Sequence, residues 1–232
     1  RRGKSSANCV WGNAASVLVG DFLYSKSFRL LTKYGNLDII RLLSATTNTM
    51  SEGEVFQLVK RGDVDITEAD YLSIIDKKTA VLISAACALG GHLGEAMDSR
   101  IEALTHFGLR VGAAFQMTDD TLDYMAKEED FGKAIGKDLE EGKLTLPLIR
   151  TMGQCSEEEK ERLRELLGRE ERDGEAIGTI MALMHRYDGI SYTLGKAKAL
   201  IAEAKSILSS FPDSTPREAL LAVADYVIER EI

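Results

Sequence analysis

From about Gly94 to Met125 the chain carries one apolar run at helical spacing, and that run ends in Phe115-Gln116-Met117-Thr118-Asp119-Asp120-Thr121-Leu122-Asp123-Tyr124. A helix of this kind must lay its apolar stripe against other elements. Its acidic end adds a second demand. Asp119 and Asp123 lie four residues apart and share a helical face, with Gln116 one turn earlier on the same side. Like charges at that spacing repel by about 0.2–0.5 kcal/mol when exposed, so a cation is expected between them. A solvated acidic helix end has the same pattern. The next segment, Gly132-Lys133-Ala134-Ile135-Gly136-Lys137-Asp138-Leu139-Glu140-Glu141-Gly142-Lys143, sets lysines beside glycines. Carboxylates and lysines this close suggest a joint site for a divalent metal and an anion.

The rest of the chain reads as helix throughout. Asn13 to Leu31 repeats Ala14, Val17, Leu18, Phe22, Leu23 and Phe28 at helical spacing and predicts a buried helix. A second helix runs from about Leu37 to Val59. Thr67 with Asp70 forms a capping box that starts a third, which reaches Gly90-Gly91 with Lys78 and Thr79 in its middle. The loop from Ala126 to Gly142 is longer than a connector in a compact helical domain needs, which marks it as functional. Pro147 opens a short helix ending near Gly153, Ser156 and Glu159 cap the next, and further helices cover about 175–187 and 191–210. Thr215-Pro216-Arg217-Glu218 supplies the cap, first-turn proline and capping glutamate of the last. No alternating strand pattern occurs. The expectation is one all-α domain over residues 1–232.

Composition narrows the partners. At 232 residues and 44% hydrophobic content there is material for a sizeable core. A formal charge of −8 without a basic tract gives a nucleic-acid partner no support. Cys9, Cys87 and Cys155 are odd in number and far apart, which argues against a disulfide framework or a zinc site and fits a cytoplasmic location. No apolar run reaches the roughly 20 residues of a membrane span. The chain opens on Arg1-Arg2-Gly3-Lys4, which reads as the middle of a gene product, so an N-terminal part is expected to precede it.

Mg²⁺ takes oxygen ligands, characteristically one or two carboxylates plus substrate phosphates, and Asp119, Asp120 and Asp123 supply that ligand type. Lys78, Thr79, Gln116, Lys133 and Lys143 lie on elements that could converge with them. Read alone, Lys78 is a lysine snorkelling from an amphipathic helix, and the loop lysines are solvated. The loop is not a nucleotide-binding P-loop, because Gly132 and Gly136 have three residues between them and Lys137 is followed by Asp138. Arg1 and Arg2 carry planar forks suited to diphosphate oxygens.

Taken in order, Arg1-Arg2-Gly3, Val19-Gly20-Asp21-Phe22-Leu23, Glu52-Gly53-Glu54 with Gln57, Lys78-Thr79-Ala80, Phe115-Gln116 with Asp119-Asp120-Thr121-Leu122-Asp123, and Gly132-Lys133 through Gly142-Lys143-Leu144-Thr145-Leu146-Pro147 resemble the trans-type polyprenyl diphosphate synthases of the long-chain, octaprenyl kind. The resemblance covers essentially the whole chain. It implies an isoprenoid-synthase-type helical bundle around a deep central cavity, usually a homodimer, that condenses isopentenyl diphosphate with an allylic diphosphate. It further implies Mg²⁺ on Asp119, Asp120 and Asp123, and catalysis centred on Asp119, Asp120 and Lys78. Arg1, Lys78, Thr79, Gln116, Lys133 and Lys143 would contact the allylic diphosphate, and Arg2 isopentenyl diphosphate. There is no integral membrane segment, though a long-chain product would pass to membranes.

The family's first aspartate-rich motif would stand just before Arg1, and a polypeptide truly starting at Arg1 is expected to have little synthase activity. Alternatives are a non-catalytic partner subunit of a heteromeric prenyl synthase, a terpene cyclase on the same fold, and a purely structural helical protein.

Overall fold

The computed structural model describes residues 5–125, 137–169 and 174–230. Arg1, Arg2 and Lys133, together with the loop over 126–136, lie outside the described residues. Every regular element among the described residues is helical, with no strand. The chain divides into two compact units, Arg1–Ala45 and Thr46–Ile232.

The first unit holds α1 (Ala7–Tyr34) and the start of α2 (Leu37–Val59). α1 is longer than its periodicity predicts and changes direction at Gly12, whose φ of 82° only glycine adopts readily. It ends on Gly35 in the left-handed region. The expected burial is not found. Val17, Leu18, Phe22 and Leu23 are each at least 60% exposed, because a unit with so few helices cannot enclose a 28-residue apolar helix.

The second unit is a bundle around α5 (Asp98–Met125). The helix predicted from Thr67 to Gly90 is three elements: α3 (Glu68–Ile75), a π turn (Asp76–Ala80) and α4 (Val81–Leu93). The Thr67–Asp70 capping box is present. Local periodicity carries no signal for the π turn, which adds a residue to one turn and re-aims Lys78 and Thr79. Gly108 and Gly112 on α5 let the backbones meet, since a Cβ on either would lie 2.5 Å from the Cα of Ser84 or Ala80.

Next come α6 (Lys137–Glu140), α7 (Leu146–Gln154), α8 (Glu157–Leu167), α9 (Gly174–Arg186), α10 (Gly189–Leu208) and α11 (Thr215–Glu229). Phe107, Val111 and Met117 of α5, Leu146 and Leu148 of α7, Ile201 and Leu208 of α10 and Val227 of α11 build the core. Each such side chain contributes about 1.5–3 kcal/mol of transfer free energy. Ser156 and Glu159 cap α8 as predicted. The cap of α11 is Ser214, one residue earlier than the predicted Thr215, because the Ser214 hydroxyl accepts from the Arg217 N–H and Pro216 still falls in the first turn.

Candidate active site

Three stretches far apart in sequence meet over the end of α5. Gly53 of α2 is buried, and a Cβ there would lie 2.8 Å from Lys77 Cβ and 2.9 Å from the Lys78 nitrogen. That hydrogen-only contact sets α2 directly on the π turn. Lys78 Nζ consequently donates to Gln57 Oε1 at 2.6 Å and sits 3.3 Å from Glu54 Oε1. From the other direction, the turn after α6 is tied to the turn after α2, where the Gly62 N–H donates to the Gly142 carbonyl at 2.8 Å. Gly62 and Gly142 both have positive φ, of 75° and 73°. Lys143 is thereby brought to the same pocket as Lys78.

That polar pocket is lined by Lys78, Gln116, Asp120 and Lys143, with Gln57, Lys60, Arg61, Tyr71, Asp138 and Thr145 also on its wall and Ile66, Ile74, Ile75 and Leu144 on its apolar part. Four sequence-predicted residues meet there. Thr79 joins them at one remove, its hydroxyl donating to Gln116 Oε1 at 2.8 Å. Gln116 Nε2 then donates to Asp120 Oδ1 at 2.8 Å, and the Tyr71 hydroxyl donates to Asp120 Oδ2 at 2.7 Å. Both oxygens of Asp120 are thus engaged. Burial pushes the Asp120 carboxyl up to about 7, against the opposing pull of the Tyr71 and Gln116 hydrogen bonds. Burial also raises the Tyr71 hydroxyl well above its ordinary range, with Asp120 adding to it.

The other two aspartates face elsewhere. Burial raises the Asp123 carboxyl, while Oδ2 accepts the Asp138 N–H at 2.9 Å, which fastens the start of α6 to the end of α5. Asp119 is about half exposed and pairs with Arg230, whose Nη2 is 2.8 Å from Oδ1. The cation expected between Asp119 and Asp123 is therefore, at Asp119, an arginine that follows α11. Lys143 Nζ contacts Glu141 Oε2 at 2.5 Å and Asp138 Oδ1 at 3.4 Å. Burial acts to lower the Lys143 ammonium, but Glu141 and Asp138 outweigh it and the net direction is up.

Among the described residues, no three His, Cys, Asp or Glu side chains come together to hold a metal ion unaided. The donors are nevertheless all oxygen, as Mg²⁺ requires, and such an ion keeps waters and shares phosphate oxygens. The arrangement fits an ion shared with a diphosphate and does not fit an all-protein cage. Tyr71 and Arg230 escaped the sequence reading. A tyrosine at a core position of α3 needs a partner for its hydroxyl, which is a usable signal. Arg230 gave none, lying 111 residues from Asp119.

Residues 1–184 match the family model described as Polyprenyl synthetase. The chain is 38% identical over 232 residues to the octaprenyl diphosphate synthase of Escherichia coli K12, covering 100% of this chain and 71% of that protein. The crystal structure of a decaprenyl diphosphate synthase from Rhodobacter capsulatus superposes with a TM-score of 0.93 at 37% identity, over 100% of this chain and 72% of that one. A polyprenyl synthase from Caulobacter crescentus CB15, complexed with calcium and isoprenyl diphosphate, gives a TM-score of 0.91 at 37% identity, over 99% and 70%. No helix among the described residues is long and apolar enough to cross a membrane. The chain belongs to the polyprenyl synthetase family, whose members are prenyltransferases.

Proposed function

We propose that this chain condenses isopentenyl diphosphate with an allylic diphosphate, elongating an all-trans polyprenyl diphosphate and releasing diphosphate. The observation that carries the reading is the convergence of Lys78, Gln116, Asp120 and Lys143 on one pocket. The similarity to a polyprenyl synthase complexed with calcium and isoprenyl diphosphate supports it.

Lys78 and Lys143 bring two ammonium groups to the allylic diphosphate by exchanging their present partners, Gln57 with Glu54 and Glu141 with Asp138. Charge fixed in a partly buried wall is worth more on a developing anion than charge in open water. Thr79 and Gln116 hold Asp120 in one orientation while contacting the same substrate. Asp119, Asp120 and Asp123 would hold Mg²⁺, which when bound supplies positive charge to the leaving diphosphate. Ile66, Ile74, Ile75 and Leu144 keep water from the allylic cation. The double bond of isopentenyl diphosphate attacks that cation, and loss of a proton restores a double bond, so no side-chain nucleophile is needed. Arg1, Arg2 and Lys133 are assigned to diphosphate contacts on their motifs alone.

We read the protein as a cytoplasmic homodimer. Its three thiols are free, which suits a reducing compartment. The exposed apolar side chains of α1 offer a surface of the kind a partner covers.

Asp119→Ala is expected to lower turnover by at least about 100-fold at saturating Mg²⁺, the scale on which charge-stabilising groups act. Diphosphate release and product chromatography measure it. Unchanged turnover removes the aspartates from the site, and a cyclic hydrocarbon formed without isopentenyl diphosphate overturns the reaction class.

A further inference from the structure

Arg230, the residue just past α11, reaches the catalytic end of α5 and makes three contacts there. Its Nη2 lies 2.8 Å from Asp119 Oδ1 and donates to the Phe115 carbonyl at 2.9 Å, and its guanidinium carbon sits 4.1 Å from the Phe115 ring centroid. Phe115 and Asp119 are one helical turn apart, so the arginine straddles that turn. The Arg230 side chain is only 16% exposed, and its Nε is buried with no hydrogen-bond partner among the described residues. Burying a guanidinium with an unmet donor costs free energy. Here the cost is borne while the fork is aimed at one carboxylate, the one at the exposed edge of the acidic cluster.

We propose that Arg230 is the internal counter-cation of Asp119, a positioning residue that holds the carboxylate while no divalent ion is bound and yields it when one arrives. This rests on the reading of Asp119 as a metal ligand. An ion on Asp119 Oδ1 stands beside a guanidinium nitrogen that is itself 2.8 Å from that oxygen, and the repulsion between the two cations drives the guanidinium contact open. The Phe115 ring and carbonyl are independent of Asp119 and keep the arginine nearby after it opens. The bare metal therefore competes against a tethered partner and binds weakly. A metal arriving with diphosphate brings further anionic charge, which the released guanidinium favours. Metal and diphosphate consequently enter as a pair, and the end of α11 loosens from α5 as they do.

The probe is Mn²⁺ alone, without diphosphate, titrated into the purified protein and followed by electron paramagnetic resonance of the free ion. Arg230→Gln is expected to bind Mn²⁺ about two- to five-fold more tightly than the parent, the range that a partly exposed ion pair commands. Equal or weaker binding overturns the proposal. In the parent protein itself, hydrogen exchange of the amides from Tyr226 to Arg230 is expected to quicken as Mn²⁺ saturates, and unchanged protection at saturation also overturns it. Asp119→Asn separates the two readings. If it weakens Mn²⁺ binding while Arg230→Gln has no effect, the metal site stands and the counter-cation falls. If Asp119→Asn leaves Mn²⁺ binding at the parent value, both fall.

Discussion

On the wall made by α3, the π turn and α5, Thr79, Gln116, Asp120 and Tyr71 form one chain of hydrogen bonds among buried and half-buried groups. Between α6 and α7, Lys143 is shared between two partly exposed carboxylates, Glu141 and Asp138. The first arrangement costs desolvation and returns a fixed geometry; the second costs little and can be exchanged. Partly exposed ion pairs are worth about 0–1 kcal/mol, so a diphosphate can displace them. The same pocket thus has a rigid network around Asp120, where position matters, and replaceable ion pairs at its lysines, where charge matters.

The difference is broken most severely at Asp120. Asp120→Asn keeps the size of the residue, and its amide can still pair on both sides, because the Tyr71 hydroxyl accepts as well as donates. The fold is therefore expected to survive, with the melting temperature held or raised by removal of a buried charge. Turnover is expected to fall about 100-fold or more, since the charge itself is gone. Diphosphate release and a thermal scan on the same sample test both halves. A collapse in melting temperature would mean that the network serves stability and not chemistry.

A smaller effect comes from behind the rigid wall. Gly112→Ala places a Cβ 2.5 Å from the Ala80 Cα, against backbone that cannot give. Overpacking of this kind costs about 1–3 kcal/mol, read as a melting temperature several degrees lower. Because Ala80 closes the π turn, the Thr79–Gln116 contact should open and turnover should drop with stability. Lost stability with full turnover would show that the π turn tolerates displacement.

How much of this was legible in the sequence follows from the range of each interaction. Caps at Thr67 and Ser156, the Pro147 helix and the all-helical character are local, and local spacing carried them. Ordered motifs singled out Lys78, Gln116, Asp120 and Lys143, and these four line one pocket. The π turn was not legible, because the extra residue is fixed by how α4 and α5 press together at Gly108 and Gly112. The burial expected for α1 was misjudged for a related reason. Helical periodicity says which face is apolar, and it is silent on what covers that face. Arg230 is the extreme case, a long-range contact at an ordinary helix end.

The smallest predicted effect tests the replaceable ion pairs and has the opposite sign. Glu141 Oε2 holds Lys143 Nζ at 2.5 Å, and this contact competes with any diphosphate that uses the same ammonium. Lys143 draws the Glu141 carboxyl below its ordinary range, so it is ionised at neutral pH and an effective competitor. Glu141→Gln removes the competing charge and leaves Asp138 at 3.4 Å to orient the lysine. Folding stability should move by no more than about 0.5 kcal/mol, as for most surface substitutions. KM for the allylic diphosphate should fall, by up to about five-fold, the range set by a partly exposed pair, with kcat little changed. A rise in KM would mean that Glu141 positions Lys143 and does not compete for it, and the lysine would then be as preorganised as the network around Asp120.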